Sequence, residues 1–223
     1  LTGQYMLVKS EAKVMGGVTS ITLTADSTHC FAGTNKATIY WCNTDDIAPE
    51  LRNTCHYERI NDISFPAGYS ELFATCSIND IRVWNSGTRQ ELLRIEVPGL
   101  ECHTCCFMTD GKSIVSGWND GKIRAFLPQS GKLFYAINDA HNHGVTALAP
   151  TNDCNYVVSG GMEGEVRIWR IGRQTQIMEA SLKEHRGRVS DIKINKTDTH
   201  AVSASYDCSC IIWDIKSHTR IMC

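Results

Sequence analysis

Residues 163–169 read EGEVRIW, and four other stretches repeat the outline: KATIYW ending at Trp41, INDIRVW at Trp84, DGKIRAF at Phe126 and DCSCIIW at Trp213. The closing aromatics stand 43, 42, 43 and 44 residues apart. A stride this constant marks one structural unit repeated along the chain. Each unit opens on an alternating run, seen in VTSITL from Val18, INDISF from Ile60, VTALAP from Val145 and VSDIKI from Val189. A second apolar run follows (HCFAG, LFATCS, SIVSG, YVVSG, AVSAS), then a turn carrying Asn or Asp, then the strand with the closing aromatic. A less apolar run, such as RQELLRI or GKLFYAI, ends the unit. Side chains that alternate with a period of two describe strands, so each unit supplies four of them and the chain is predicted to be all-β.

Composition agrees with a packed domain and excludes several partners. Of the 223 residues 42 % are hydrophobic and 21 % charged, enough apolar material for a core. The formal net charge is −2 and Lys and Arg are scattered, so no nucleic-acid surface is expected. The densest basic stretch, KEHRGR at 183–188, reads as a solvated turn. No run approaches the roughly 18 apolar residues of a membrane span, and no membrane partner is expected. The first fourteen residues lack the apolar segment of a secretory signal. Eleven cysteines at scattered spacings suit a reducing compartment better than a disulfide framework.

A four-stranded sheet of this size buries little alone, and similar sheets stacked radially cover one another. The Trp-Asp ending at Trp213 and Asp214, with a histidine ahead of the first strand, resembles the WD-repeat β-propeller family over nearly the whole chain. The resemblance implies about five consecutive four-stranded blades of a larger seven- or eight-bladed ring. The repeats are placed at about 13–54, 55–97, 98–139, 140–183 and 184–223 of one domain.

The family links a His, a Ser or Thr, a turn Asp and the Trp indole by hydrogen bonds. Carried over by position, the last repeat holds His185, Ser205, Asp207 and Trp213. The fourth offers His141, Gly161, Glu163 and Trp169, and the second His56, Ser77, Asn79 and Trp84. The first offers Val14, Gly33, Asn35 and Trp41, and the third Pro98, Trp118, Asp120 and Phe126. One set alone is complete on this count, so blades of unequal stability are expected. An indole N–H and an imidazole between sheets need partners; each link contributes about 1 kcal/mol net, and an orphaned partner costs about 1 to 3 kcal/mol. The same side chains could be mistaken for a hydrolase triad. Their recurrence at structural positions, with no GxSxG elbow and no P-loop, argues against an enzyme.

Register also decides the cysteines. Cys208 stands where other repeats have Gly121 and Gly164, a turn, and Cys210 where they have Ile81, Ile123 and Val166, which predicts a core position. Cys30 aligns with the second-strand positions Val115, Val158 and Val202 and is predicted to be core. Cys102, His103, Cys105 and Cys106 spell a zinc-like cluster, but Cys102 and Cys105 are predicted to point inward and His103 outward. Ligands on opposite faces of a strand cannot share an ion, so neither metal nor other cofactor is expected.

TGQYMLV at 2–8 resembles the outer strand that follows a repeat's Trp, so residues 1–12 are expected to be the outer strand of a preceding, truncated repeat. SHTRIMC from Ser217 begins the corresponding strand at the other end. The chain thus reads as part of a longer propeller, aggregation-prone if made alone because its blade faces would stand uncovered. ELFATCSINDIRVWN, DGKSIVSGWNDGKIRAF, SGGMEGEVRIWRIGRQTQ and CIIWDIKSHTR resemble the C-terminal propeller of a double-propeller branch of the family in motile cilia. That resemblance implies a non-enzymatic scaffold of the axoneme, a microtubule inner protein contacting tubulin and other inner proteins of the doublets. The alternative is a generic WD-repeat adaptor presenting peptides to a signalling or ubiquitin-ligase complex. Partner-contacting residues are not assigned by the sequence; the turns at 43–52 and 138–142 are candidates by exposure.

Overall fold

The computed structural model describes residues 14–45, 49–54 and 56–223, and the strand expected at 1–12 lies outside them. Nineteen strands and no helix are formed by the described residues. The first blade is β1 (Val18–Leu23), β2 (His29–Thr34), β3 (Thr38–Asn43) and β4 (Pro49–Thr54). The second uses β5 (Asp62–Ser64), β6 (Leu72–Cys76), β7 (Ile78–Asn85) and the first half of β8 (Glu91–Phe107). The third takes the second half of β8 with β9 (Ile114–Trp118), β10 (Ile123–Phe126) and β11 (Leu133–Ile137). The fourth is β12 (Val145–Pro150), β13 (Tyr156–Gly161), β14 (Glu165–Ile171) and β15 (Gln176–Lys183). The fifth is β16 (Val189–Ile194), β17 (His200–Ser205), β18 (Cys210–Asp214) and β19 (Thr219–Met222). Within each blade consecutive strands pair antiparallel.

The second and third blades share one continuous strand, β8. No loop separates the outer strand of the second blade from the inner strand of the third; the chain turns within the strand at Pro98 and Gly99, the latter at φ +77°. Proline lacks the N–H a ladder needs and glycine accepts the left-handed conformation, so pairing changes partner here without a break. Asn79 Oδ1 accepts the Gly99 N–H at 2.7 Å.

Inner strands carry a recurrent bulge, between Val18 and Ser20, Cys102 and Thr104, Val145 and Ala147, and Val189 and Asp191. One extra residue changes the side-chain parity. Residues three apart, such as Cys102 and Cys105 or Val189 and Ile192, therefore enter the same core.

Each core lies between two blades. Trp213 packs with Val158, Val166 and Ile168 of the blade before it, and Trp169 with Val115, Ile123 and Ala125. Phe126 and Trp118 meet Ala74, Ile81 and Val83, and Trp84 meets Phe31 and Ile39. Trp41 breaks the pattern: it packs toward the second blade, with Phe31, Ile60 and Trp84. The cause is a slip of one residue. The left-handed turn residue falls five before the aromatic at Asn79, Gly121, Gly164 and Cys208, but four before it at Ala37. Moving a turn by one residue turns every later side chain to the opposite face. Tyr40 and Cys42 consequently occupy the face that Trp would take. Gly33, by the same slip, shares its place with Gly117 and Gly160, where a Cβ would come within 2.8, 2.6 and 2.5 Å of the next blade.

The inner strands β1, β5, β8, β12 and β16 line one central cavity of about 760 Å³. Asp62 on its wall joins three blades, accepting from Ser20 Oγ at 3.0 Å, Thr104 Oγ1 at 2.9 Å and the Cys105 N–H at 3.1 Å.

Candidate functional site

Histidines and indoles singled out by the sequence meet at hydroxyls on the second strands of the blades. In the fifth blade the Trp213 indole N–H donates to Ser203 Oγ at 2.8 Å, and the same oxygen lies 2.7 Å from His185 Nε2. His185 Nδ1 lies 3.1 Å from Asp207 Oδ2. A carboxylate only accepts, so Nδ1 carries the proton and the Ser203 hydroxyl donates to Nε2, which orients the chain from indole to carboxylate. The Ser209 hydroxyl and the Arg186 N–H hold the Asp207 carboxyl well below the usual carboxylate range. The hydroxyl in this set is Ser203, not Ser205. Ser205 lies two residues on, where its hydroxyl donates to Gly187 O at 2.9 Å and accepts the Asp207 N–H at 3.2 Å.

The second blade holds a complete set as well, contrary to the sequence count, and with other members. Trp84 Nε1 donates to Thr75 Oγ1 at 2.9 Å, His56 Nε2 lies 2.7 Å from that oxygen, and His56 Nδ1 lies 2.6 Å from Asp80 Oδ1. Against the upward push of burial, His56 and then Arg82 keep the Asp80 carboxyl below its ordinary value. Ser77 instead donates to Arg59 O at 2.6 Å. Asn79 is the left-handed turn residue, at φ +70°.

The fourth blade has the indole, hydroxyl and imidazole without the acid. Trp169 Nε1 donates to Ser159 Oγ at 2.9 Å, which lies 2.8 Å from His141 Nε2. Glu163 is not a member: it pairs with His143 at 2.8 Å. Gly161 lies against the imidazole, and a Cβ there would stand 2.3 Å from His141 Nδ1. Burial, with the Arg167 guanidinium adding to it, lowers His141 to about 4. In the third blade Trp118, on the second strand instead of the third, donates to Ser116 Oγ at 2.8 Å and is fully buried. Arg124 lies 5.4 Å over its ring and grips Asp120 at 3.0 and 2.6 Å.

One signal would have found the hydroxyl: Ser116, Ser159 and Ser203 each stand ten residues before the closing aromatic. Counting from the turn loses it. A residue facing the aromatic across the sheet must be chosen by strand parity, and Ser205 lies beyond the last paired residues of that hairpin.

The described cysteines are free thiols. Cys76, Cys102 and Cys105 are buried in one core, and burial pushes the Cys76 and Cys102 thiols up, away from the thiolate form that reacts or binds metal. His103 points away, its Nδ1 3.5 Å from Glu101 and its buried Nε2 without a partner. Among the described residues no three His, Cys, Asp or Glu side chains are grouped to hold a metal ion. Cys210 corrects another expectation. It is exposed, because no described sheet covers that face of the fifth blade, whereas Ile81, Ile123 and Val166 are covered by neighbours. Cys208 is the exposed turn residue, and Cys30 is buried, opposite Cys42 across the β2–β3 ladder with both thiols free.

A sequence profile described as WD domain, G-beta repeat matches residues 132–170 and 177–214. These two stretches match the WD repeat, and the other blades share their four-stranded antiparallel build. Each matched stretch begins near the outer strand of one blade, β11 or β15, and ends one residue past the closing Trp of the next, so a WD repeat here straddles a blade boundary. Proteins named cilia- and flagella-associated protein 52 are similar over most of this length. That of Mus musculus is 53 % identical over 92 % of this chain and 33 % of its own. Those of Bos taurus and Chlamydomonas reinhardtii are 53 % and 51 % identical over 91 % and 93 % of this chain and 33 % and 34 % of theirs. The chain spans about a third of the length of the curated relatives it matches.

Proposed function

We propose that this chain is part of a non-enzymatic scaffold of motile cilia and flagella, located in the axoneme as a microtubule inner protein contacting tubulin and neighbouring inner proteins. The observation that carries the reading is the similarity to proteins named for cilia and flagella from mammals to an alga, at 51 to 53 % identity over more than nine-tenths of the chain. The geometry supports the scaffold class. Its histidines, hydroxyls and carboxylates are engaged in holding indoles and turns, and the sheets leave rims and turns free for partners. WD repeats suit protein–protein contact.

Doublet microtubules from cells expressing the complete tagged protein test the proposal. Retention through a high-salt wash, with release only when the doublet wall is dissolved, is the expected result. A pool that washes off and copurifies with a short linear peptide motif would favour the adaptor instead, and substrate turnover by the complete protein would reject a scaffold of either kind.

A further inference from the structure

The slip in β3 leaves an opening in the surface. Where the other blades carry Val83, Ala125 and Ile168 against the next blade, the first carries Trp41, and between the first two blades lies a groove walled by Phe31, Trp41, Phe73 and Trp84. The β7–β8 turn, with Arg89, forms its rim. The space is about 210 Å³. Pockets that enclose a whole small molecule run from about 300 to 1,000 Å³, so this one has room for a single large side chain.

The walls are braced. His29 stacks on Trp41 with centroids 4.4 Å apart and planes at 18°, and Phe31 and Phe73 lie 4.9 Å apart. The Trp84 indole N–H is spent on Thr75, so that ring offers the groove an apolar face. Trp41 remains partly exposed, although a large aromatic gains most from being covered. Of the residues lining the groove, Arg89 is the charged one. Arg89 is exposed and makes no ion pair among the described residues, while its neighbours Arg82 and Arg94 both pair with Glu91.

We propose that this groove holds one Leu-, Met- or Phe-sized side chain from a partner protein whose adjacent carboxylate pairs with Arg89. The apolar side chain lies between Trp41 and Trp84; the carboxylate, left at the rim, supplies the charge that Arg89 lacks. The proposal deepens the scaffold reading and rests on its premise that the propeller holds protein partners.

The complete protein is titrated calorimetrically with three peptides, Ac-EEFEE-NH2, Ac-KKFKK-NH2 and Ac-EEAEE-NH2. Saturable binding of the first alone is expected, weakening as ionic strength rises. Trp41→Val, which installs the kind of residue the other blades carry, should weaken it about tenfold, and Arg89→Glu should transfer the preference to the basic peptide. Thermal melts of both variants verify folding. No saturable binding to the wild type, or binding that ignores peptide charge and both substitutions in folded protein, overturns the proposal. Retention on doublets is measured separately, so failure of the groove and failure of the ciliary placement are distinguishable.

Discussion

Ser203 and Ser205 lie two residues apart on β17, yet only one stands between an imidazole and an indole. Ser203→Ala should orphan the Trp213 N–H and His185 Nε2 in a buried site and cost about 1 to 3 kcal/mol. Ser205→Ala, which loses two bonds within a partly exposed turn that water reaches, should cost less, about 0.5 to 1.5 kcal/mol. Urea unfolding midpoints of the two variants measure the difference, and the reverse order would reject the assignment. His141 gives a second prediction at this scale. Its imidazole is 4 % exposed and titrates at about 4, against 6.5 unperturbed. As the pH falls the unfolded chain takes the proton first. Its stabilising effect is therefore complete above about pH 6.5 and lost as the pH falls toward about 4, by about 3 kcal/mol in full. Unfolding midpoints across this window should slope for the wild type and flatten for His141→Gln.

The turn between β9 and β10 sets how closely the third and fourth blades approach. Gly121 is left-handed at φ +78°, and a Cβ there would stand 1.8 Å from the carbonyl oxygen of His141, a backbone atom that cannot rotate away. Gly111 shares the conformation, at φ +67°, but a Cβ there would meet nothing within 4 Å. Gly111→Ala should cost only the conformational strain, about 1 to 2 kcal/mol. Gly121→Ala adds the clash and should cost about 4 kcal/mol or more. Equal losses by thermal melting would show that the blades part freely at this turn. Elements of this kind were largely legible in the sequence, because an alternating run and a turn residue are local properties. The slots of Trp84, Phe126, Trp169 and Trp213 followed from stride alone. Trp41 kept the stride and lost the slot, since one residue moved across a turn changes facing without changing spacing. The hydroxyls Thr75, Ser159 and Ser203 escaped for the same reason, as did Asp80, hidden in a turn one residue short. The histidines and indoles of the tetrads were legible, being placed by repeat period instead of by parity.

Across the whole molecule, blades are held by apolar cores between sheets and by a few polar bonds around the central cavity. Asp62 is the most connected of these, with donors from the first and third blades converging on a carboxylate of the second. The matching residue of the fifth blade, Asp191, accepts, among the described residues, only from its own strand, at Ile192 N and Lys193 Nζ, and is exposed. Its geometry shows what Asp62 would be without neighbours, so the bonds across blades come from stacking and not from the local sequence. Asp62→Ala would leave the Ser20 and Thr104 hydroxyls and the Cys105 N–H without their acceptor, each at about 1 to 3 kcal/mol where water does not reach. The hydroxyls can turn toward the cavity; the Cys105 N–H is fixed by β8. Hydrogen exchange should therefore quicken at Cys105 and its neighbours on β8 and at the inner strand β1, while the strands around Trp169 and Trp213 keep their protection. Uniform loss of protection over all five blades would mean that they unfold as one unit, and unchanged exchange at Cys105 would remove Asp62 from the account of how the blades are joined.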